Sequence, residues 1–250
     1  GGSCDRLGGA EVVGVDAFRR SAPGVDLSGV SAAGRWQDGL MVSSERVLIG
    51  MLRLACDLGG RALGGVSMRS VSRDDGGTLT LGCEASEGRQ ISLRAKRVIN
   101  CAGPASGEVA RQLGGELPRL FEPLLAFNVL LDVECRLRDA VALTSAEADG
   151  RMLFIVPSPA GLAIGTWEEP ASGHTRPTRE SVEHLLSVAG RSLGREDLSF
   201  DRVTAVWSGL LPRSPGGTLT PHDRPVVIDH GSVGGLPGAF SVSGVKYTTA

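Results

Sequence analysis

The sequence is poor in lysine and lacks several compact catalytic motifs. Only Lys96 and Lys246 of its 26 basic residues are lysines, and neither follows a glycine, which excludes a Walker A loop. No two of the 36 glycines are separated by a single residue, so a GxGxxG loop is absent. No serine lies in a GxSxG elbow, which argues against an α/β-hydrolase. No two of the four histidines are four residues apart, which excludes an HExxH zinc site.

The chain also lacks a strong net charge, a long apolar run and paired cysteines. Its 26 basic and 28 acidic residues give a net charge of −2, which favours neither nucleic acid nor an anionic membrane. The longest apolar stretch, residues 124–131, is too short to span a bilayer. The five cysteines include no CxxC, which favours free thiols over disulfides or a metal site. We therefore expect a cytoplasmic protein with no nucleic-acid partner, no transmembrane segment and at most a peripheral contact with the inner face of a membrane.

Glycine is what the sequence has in excess, at 36 of 250 residues, or about twice the usual share of about 7%. The hydrophobic content of 41% is typical of a globular protein with a core. The glycines have no three-residue period, which excludes collagen. The excess therefore predicts many tight turns and close backbone approaches.

Periodicity and turn residues predict a mixed fold. Apolar residues at helical spacing predict one helix over residues 45–58, capped by Ser43 or Ser44, and another from Thr178 to Gly194. A short helix capped by Ser106 is also predicted, whereas residues 1–42 are predicted to be irregular apart from a short amphipathic piece. Strands are predicted over residues 62–71, 78–83, 90–93, 97–101, 124–133, 203–207, 225–228 and 239–242, with a hairpin over residues 152–167. This order predicts two domains that exchange chain segments.

Four segments taken in order resemble a known family. They are residues 35–39 (Arg-Trp-Gln-Asp-Gly), 97–104 (Arg-Val-Ile-Asn-Cys-Ala-Gly-Pro), 154–166 (Phe-Ile-Val-Pro to Ile-Gly-Thr) and 207–250 (Trp-Ser-Gly-Leu-Leu-Pro to Gly-Val-Lys-Tyr-Thr-Thr-Ala). Together they resemble the flavin-dependent glycerol-3-phosphate dehydrogenase branch of the D-amino-acid-oxidase-like flavoproteins. The resemblance implies an α/β fold with mixed α+β parts, in which an incomplete Rossmann-like FAD-binding domain is interleaved with an antiparallel-sheet substrate domain.

The resemblance also implies a division of the chain. Residues 1–42 would belong to the substrate domain or a linker, 43–118 to the FAD-binding domain, 119–222 to the antiparallel substrate domain with one long helix, and 223–250 to the FAD-binding domain again. In the family a GxGxxG unit precedes these segments and holds the FAD pyrophosphate at a helix N-terminus. The chain is therefore expected to be an internal fragment.

FAD is the cofactor that the resemblance implies. Lys246 would lie beside the flavin N1 and C2 carbonyl, where a cation stabilises the reduced ring, and it is the catalytic candidate. The cofactor-binding candidates are Met68, Ala102, Gly103, Gly244, Val245, Lys246, Tyr247 and Thr248. From the residues alone, a plain strand-to-helix turn at Ala102 and a simple core position for Met68 are the alternatives.

The substrate candidates are Asn128, Thr166 and Arg213. Leu211 stands where the family has an arginine suited to phosphate, and Asn128 aligns with a family histidine. Because leucine cannot bind a dianion and asparagine cannot act as a general base near neutral pH, we expect the substrate to differ from glycerol 3-phosphate. For Arg213, an exposed surface arginine is the alternative.

The resulting expectation is an FAD-dependent dehydrogenase or oxidase without a metal. It would transfer a hydride from a small hydroxy or amino substrate to the flavin and pass the electrons to quinone or oxygen. Two alternatives stay open: an amine or 2-hydroxy-acid oxidase of the same superfamily, and a non-catalytic scaffold subunit that keeps the flavoprotein fold.

Overall fold

The computed structural model describes residues 8–39, 41, 43–116, 123–145, 147, 151–213 and 224–244. The chain divides into two compact units, each built from two separate stretches: unit 1 from Gly1–Leu40 and Leu124–Leu210, and unit 2 from Met41–Pro123 and Leu211–Ala250. The strands are β1 (Glu11–Gly14), β2 (Ala32–Arg35), β3 (Val66–Arg73), β4 (Leu79–Ala85), β5 (Gln90–Ala95), β6 (Val98–Asn100), β7 (Pro123–Leu131), β8 (Val141–Thr144), β9 (Met152–Ser158), β10 (Gly161–Pro170), β11 (Val203–Pro212), β12 (Val226–Asp229) and β13 (Ala239–Ser243). The helices are α1 (Val15–Ser21), α2 (Ser44–Asp57), α3 (Ser106–Leu113) and α4 (Arg179–Leu193). Antiparallel and parallel strand pairs both occur, so the predicted mixed fold class is confirmed.

Unit 1 is built on a five-stranded sheet with the order β11-β7-β10-β9-β8. Its apolar face packs against α4, with Phe127, Ile155, Ile164, Leu185 and Leu186 among the buried residues. This arrangement follows from the sequence, because the strands carry near-continuous apolar runs and α4 carries an apolar stripe at helical spacing.

The predicted boundaries of α4 are confirmed. The Thr178 hydroxyl accepts a hydrogen bond from the backbone N–H of Ser181 at 3.1 Å, which caps the helix start. At the other end Gly194 has φ +66°, a left-handed conformation that glycine adopts without a Cβ penalty. The predicted hairpin is also confirmed as the antiparallel pair of β9 and β10.

The first part of unit 1 differs from the prediction of an irregular segment. Residues 8–39 contain β1, α1 and β2, and the two strands pair antiparallel with Glu11 opposite Arg35. The Arg35 Nε donates to the Glu11 carboxylate at 2.8 Å across this pair. Four-residue strands far apart along the chain give little periodicity, so the sequence pattern did not reveal their pairing.

Unit 2 holds two three-stranded sheets. One is the antiparallel meander β3-β4-β5, and the other has the order β12-β13-β6, with β13 antiparallel to β12 and parallel to β6. Helix α3 follows β6 after a 3₁₀ turn at Gly103–Ala105. The prediction that Ser106 caps α3 is wrong: Ser106 is the first helical residue, and Ala105 is the N-cap without a side-chain cap.

Helix α2 begins as predicted, because the Ser43 hydroxyl accepts from the Arg46 N–H at 3.3 Å. Its apolar side chains, however, are 41–52% exposed at Val47, Leu48 and Met51. Within the described part of the chain, no residue of α2 is buried. None of the helices in the described ranges has both the length and the apolar character needed to cross a membrane.

Candidate functional site

The first candidate site lies at one edge of the β12-β13-β6 sheet in unit 2. Strands β6 and β13 run parallel, with Val98 opposite Ala239 and Asn100 opposite Ser241. Both strands therefore end at the same edge, where β6 leads into the turn at Ala102 and Gly103 and β13 leads into Gly244. Ligands of open α/β sheets characteristically bind outside the carboxyl ends of parallel strands. The structure thus brings three of the predicted cofactor-binding residues to one sheet edge.

The turn after β6 presents backbone rather than side chains. Ala102 and Gly103 are exposed, and among the described residues no atom beyond the two flanking residues lies within 4 Å of the position that a Cβ of Gly103 would occupy. Gly103 has φ +55°, and Ala102 has φ −74° and ψ 10°. The Ala102 carbonyl accepts from the Ala105 N–H at 3.1 Å, which closes the turn. A ligand can therefore approach this backbone without meeting a side chain of Gly103.

Gly244 turns the chain at the end of β13. Its φ is +79°, and a Cβ there would lie 2.9 Å from the Arg224 carbonyl oxygen, so both conformation and space require glycine. The predicted residues Val245, Lys246, Tyr247 and Thr248 lie outside the described residues, and their roles stay predictions.

Met68 lies on a different sheet of the same unit. It is half-buried on β3, opposite Cys83 on β4, next to a bulge between Met68 and Ser70. The structure therefore does not place Met68 on the sheet that carries the turn at Ala102, and its contact with FAD stays a prediction.

Sequence reasoning missed the side chains that hold this turn. The Asn100 Oδ1 accepts from the Ala102 N–H at 3.1 Å, and its Nδ2 donates to the Ser106 carbonyl at 2.8 Å and to the Ser241 Oγ at 2.9 Å. Ser241 in turn contacts the fully buried His230. The available signals were the polar Asn100 directly after two apolar strand residues and its place in the segment 97–104 that carries the family resemblance.

The second candidate site lies in unit 1, at a bulge in β10. The pairing of β10 with β7 shifts between Ile164 and Trp167, so that Gly165 and Thr166 together face the single residue Asn128. The Thr166 Oγ1 donates to the Asn128 Oδ1 at 3.2 Å. The structure thus brings together two of the three predicted substrate residues. Their amide and hydroxyl groups can donate hydrogen bonds to a polar ligand and accept hydrogen bonds from it, but they carry no charge.

The Asn128 amide occupies the space that a side chain at position 165 would need. A Cβ at Gly165 would meet the Asn128 side-chain amide and would lie 3.0 Å from the Phe127 carbonyl oxygen, so an alanine fits only if the Asn128 side chain moves away. The position of the Asn128 amide therefore depends on the absence of a side chain at the bulge.

Arg213 belongs to unit 2, whereas Asn128 and Thr166 belong to unit 1. Its side chain is half-buried, directly after the end of β11. Its proposed contact with substrate stays a prediction. Across the described ranges, no three His, Cys, Asp or Glu side chains are grouped in a way that could hold a metal ion.

Comparisons with known proteins identify a family and several relatives. The family model described as FAD dependent oxidoreductase matches residues 2–249. An alpha-glycerophosphate oxidase of Enterococcus casseliflavus is 30% identical over 129 residues, which cover 49% of this chain and 21% of that protein. A mitochondrial glycerol-3-phosphate dehydrogenase of Mus musculus is 25% identical over 168 residues, which cover 65% of this chain and 23% of that protein.

A solved structure with a similar fold is the glycerol-3-phosphate dehydrogenase from Bacillus halodurans complexed with FAD. Its TM-score is 0.75 at 21% identity, with 95% of this chain and 46% of that chain covered. At this identity the likeness extends to the fold alone. The alignments with the two curated relatives span less than a quarter of their length, at 21% and 23%.

Proposed function

The chain belongs to the family of FAD-dependent oxidoreductases, and on that premise we propose that it forms the flavin-contacting and substrate-contacting parts of a dehydrogenase or oxidase. The names of the relatives favour a small hydroxy compound of the glycerol phosphate type over an amine or a 2-hydroxy acid. We therefore propose this substrate class in place of the expectation, drawn from Leu211 and Asn128, that the substrate differs from glycerol 3-phosphate. The observation that carries the proposal is the exposed turn at Ala102 and Gly103, which shares a sheet edge with Gly244.

The residues at this edge fit FAD. Among the described residues, the space where a Cβ of Gly103 would stand is open, so a cofactor could approach the backbone closely. The edge is formed by the carboxyl ends of two parallel strands, which is where dinucleotides bind in Rossmann-like sheets. We assign Ala102, Gly103 and Gly244 to this contact, with Met68 and residues 245–248 as further contacts implied by the family resemblance.

Bound FAD would supply the hydride acceptor of the reaction. The Asn128 amide and the Thr166 hydroxyl would hydrogen-bond a hydroxyl group of the substrate and orient it. Because this pair carries no charge, Arg213 is our candidate for an anionic group of the substrate. The Lys246 ammonium would place a positive charge beside the flavin ring.

We extend the proposal to the roles of the two units, the electron acceptor and the location of the protein in the cell. Unit 2 would be the FAD-binding domain and unit 1 the substrate domain. Electrons would leave to quinone or oxygen. The free thiols of Cys56, Cys83, Cys101 and Cys135 support a cytoplasmic location, and contact with a membrane would be peripheral.

The direct test uses the purified full-length protein. Denaturation should release a flavin that is identified by its absorption spectrum. In the native protein, glycerol 3-phosphate should bleach the bound flavin under anaerobic conditions. Glycerol, a 2-hydroxy acid and a primary amine serve as comparison substrates. Absence of bound flavin after reconstitution with excess FAD would contradict the proposal, and bleaching by the amine alone would overturn the substrate class.

Replacing Lys246 by methionine should slow flavin reduction by about tenfold, because the variant loses a charged partner worth about 1.5 kcal/mol at the flavin. Stopped-flow absorbance measures the rate, and sulfite titration measures whether the adduct weakens in parallel. Lys96→Met is the matched control, since it removes the other lysine of the chain. Wild-type values for both measurements in Lys246→Met would show that Lys246 does not act at the flavin.

A further inference from the structure

Three buried polar side chains lie beneath the turn at Ala102. Asn100 is 4% exposed, and Ser241 and His230 are fully buried. The Asn100 Nδ2 lies 2.9 Å from the Ser241 Oγ, and the His230 Nε2 lies 2.8 Å from the same oxygen. We call this chain of hydrogen bonds the relay.

The direction of each hydrogen bond in the relay follows from its partners. The Gly114 carbonyl can only accept, so the His230 Nδ1 donates to it across 2.7 Å. In the neutral imidazole the Nε2 then carries no hydrogen, so it accepts the hydroxyl hydrogen of Ser241, whose oxygen accepts from the Asn100 Nδ2. The relay thus has one consistent set of donors and acceptors.

The relay ends on the backbone of the turn. The second hydrogen of the Asn100 Nδ2 is donated to the Ser106 carbonyl at 2.8 Å, so both of its N–H groups are used. The amide oxygen of Asn100 then faces the Ala102 N–H, from which it accepts at 3.1 Å. The orientation of the Asn100 side chain therefore fixes the amide of Ala102.

The other end of the relay is held by close backbone packing. The His230 carbonyl accepts from the Gly235 N–H at 2.7 Å, and the Leu113 carbonyl accepts from the Leu236 N–H at 2.9 Å. Gly235 packs so closely on Gly114 that a Cβ there would meet the Gly114 carbonyl. His230 is consequently held against the C-terminal end of α3. Asn100 forms its hydrogen bond with Ser106, the first residue of the same helix.

We propose that Asn100, Ser241 and His230 are positioning residues that hold the turn at Ala102 and Gly103 in the conformation that binds FAD. This inference rests on the proposed function, in which FAD contacts that turn. Apolar side chains of similar volume would fill the space between β13 and α3 without any hydrogen-bonding requirement. What the relay adds is a directional contact on the Ala102 N–H, and a fully satisfied buried network of this kind restricts conformation.

The test replaces Ser241 by alanine, which removes the hydroxyl that links His230 to Asn100. In the FAD-free protein, the hydrogen exchange of the Ala102 amide should be at least tenfold faster, whereas that of the Leu236 amide should stay unchanged. The Kd for FAD should rise about tenfold on reconstitution. Ser106→Ala is the matched control: it removes a buried hydroxyl that has no partner in the described ranges and leaves the carbonyl bonded to Asn100.

Each result decides the inference. Unchanged exchange at Ala102 in Ser241→Ala overturns the relay, and faster exchange with a wild-type Kd overturns its role in cofactor binding. If the wild-type protein binds no FAD, the proposed function fails and so does that role, while exchange still reports whether the relay holds the turn. Should Ser241→Ala fail to fold, Ser241→Cys keeps the size with a weaker donor, and both measurements should move in the same direction by less.

Discussion

Replacing Ala102 by leucine should weaken FAD binding by about 100-fold, or about 2.7 kcal/mol, without unfolding the protein. Ala102 is exposed, with φ −74° and ψ 10°, close to the bridge region that an alanine already occupies here, so a leucine adds no new backbone restriction of the kind that glycine would relieve. The larger side chain therefore costs the free protein little. In the proposed complex it occupies the space through which FAD approaches the turn, so the cost falls on binding.

The measurement is a fluorescence titration of the FAD-free full-length protein with FAD, accompanied by chemical denaturation. Ala55→Leu is the matched control, because Ala55 is an exposed alanine of unit 2 on helix α2, where leucine is also tolerated. Both variants should keep the wild-type free energy of unfolding within about 0.5 kcal/mol. A wild-type Kd in Ala102→Leu would place FAD elsewhere on the protein.

The elements with strong local signals could be predicted from the sequence. Helix α4 has a capping threonine at Thr178, an apolar stripe and a terminal glycine at Gly194, and each of these acts within a few residues of the chain. The hairpin of β9 and β10 has a short turn rich in proline and glycine. In both cases the interactions that form the element are visible in the segment itself.

Other parts of the fold depend on contacts between distant residues. Strand β8 has only four residues and pairs with β9, so its own sequence carries no clear alternation. The apolar stripe of α2 was visible, but periodicity does not say whether such a stripe is covered, and here its side chains are exposed. Helix periodicity thus predicted the element but not its environment.

The candidate site was predictable only where the family resemblance supplied residues. Ala102 and Gly103 follow a recognisable strand, and Asn128 and Thr166 prove to be hydrogen-bonded neighbours at 3.2 Å. The relay could not have been found, because Asn100 and Ser241 are 141 residues apart in sequence and meet only through the parallel pairing of β6 and β13. A buried histidine such as His230 also has no distinctive neighbours in the sequence.

The bulge at Gly165 leads to a prediction about stability and activity together. Gly165→Ala should lower the free energy of unfolding by about 1–3 kcal/mol, because its Cβ would clash with the Asn128 side-chain amide. It should also reduce kcat/KM by about 100-fold, since the Asn128 amide must move away from its position beside Thr166. Gly209→Ala is the stability control, because Gly209 lies on β11 of the same sheet and no atom of the described residues crowds its Cβ position.

A double variant separates the two effects. Adding Asn128→Ala to Gly165→Ala removes the clashing amide and should restore most of the lost stability, although the Phe127 carbonyl, 3.0 Å from the new Cβ, keeps part of the cost. Activity should stay low, because the amide that orients the substrate is gone. Chemical denaturation and steady-state kinetics on the four proteins of this cycle measure both quantities. Recovery of kcat/KM in the double variant would mean that Asn128 has no contact with the substrate and that Gly165 matters only for packing.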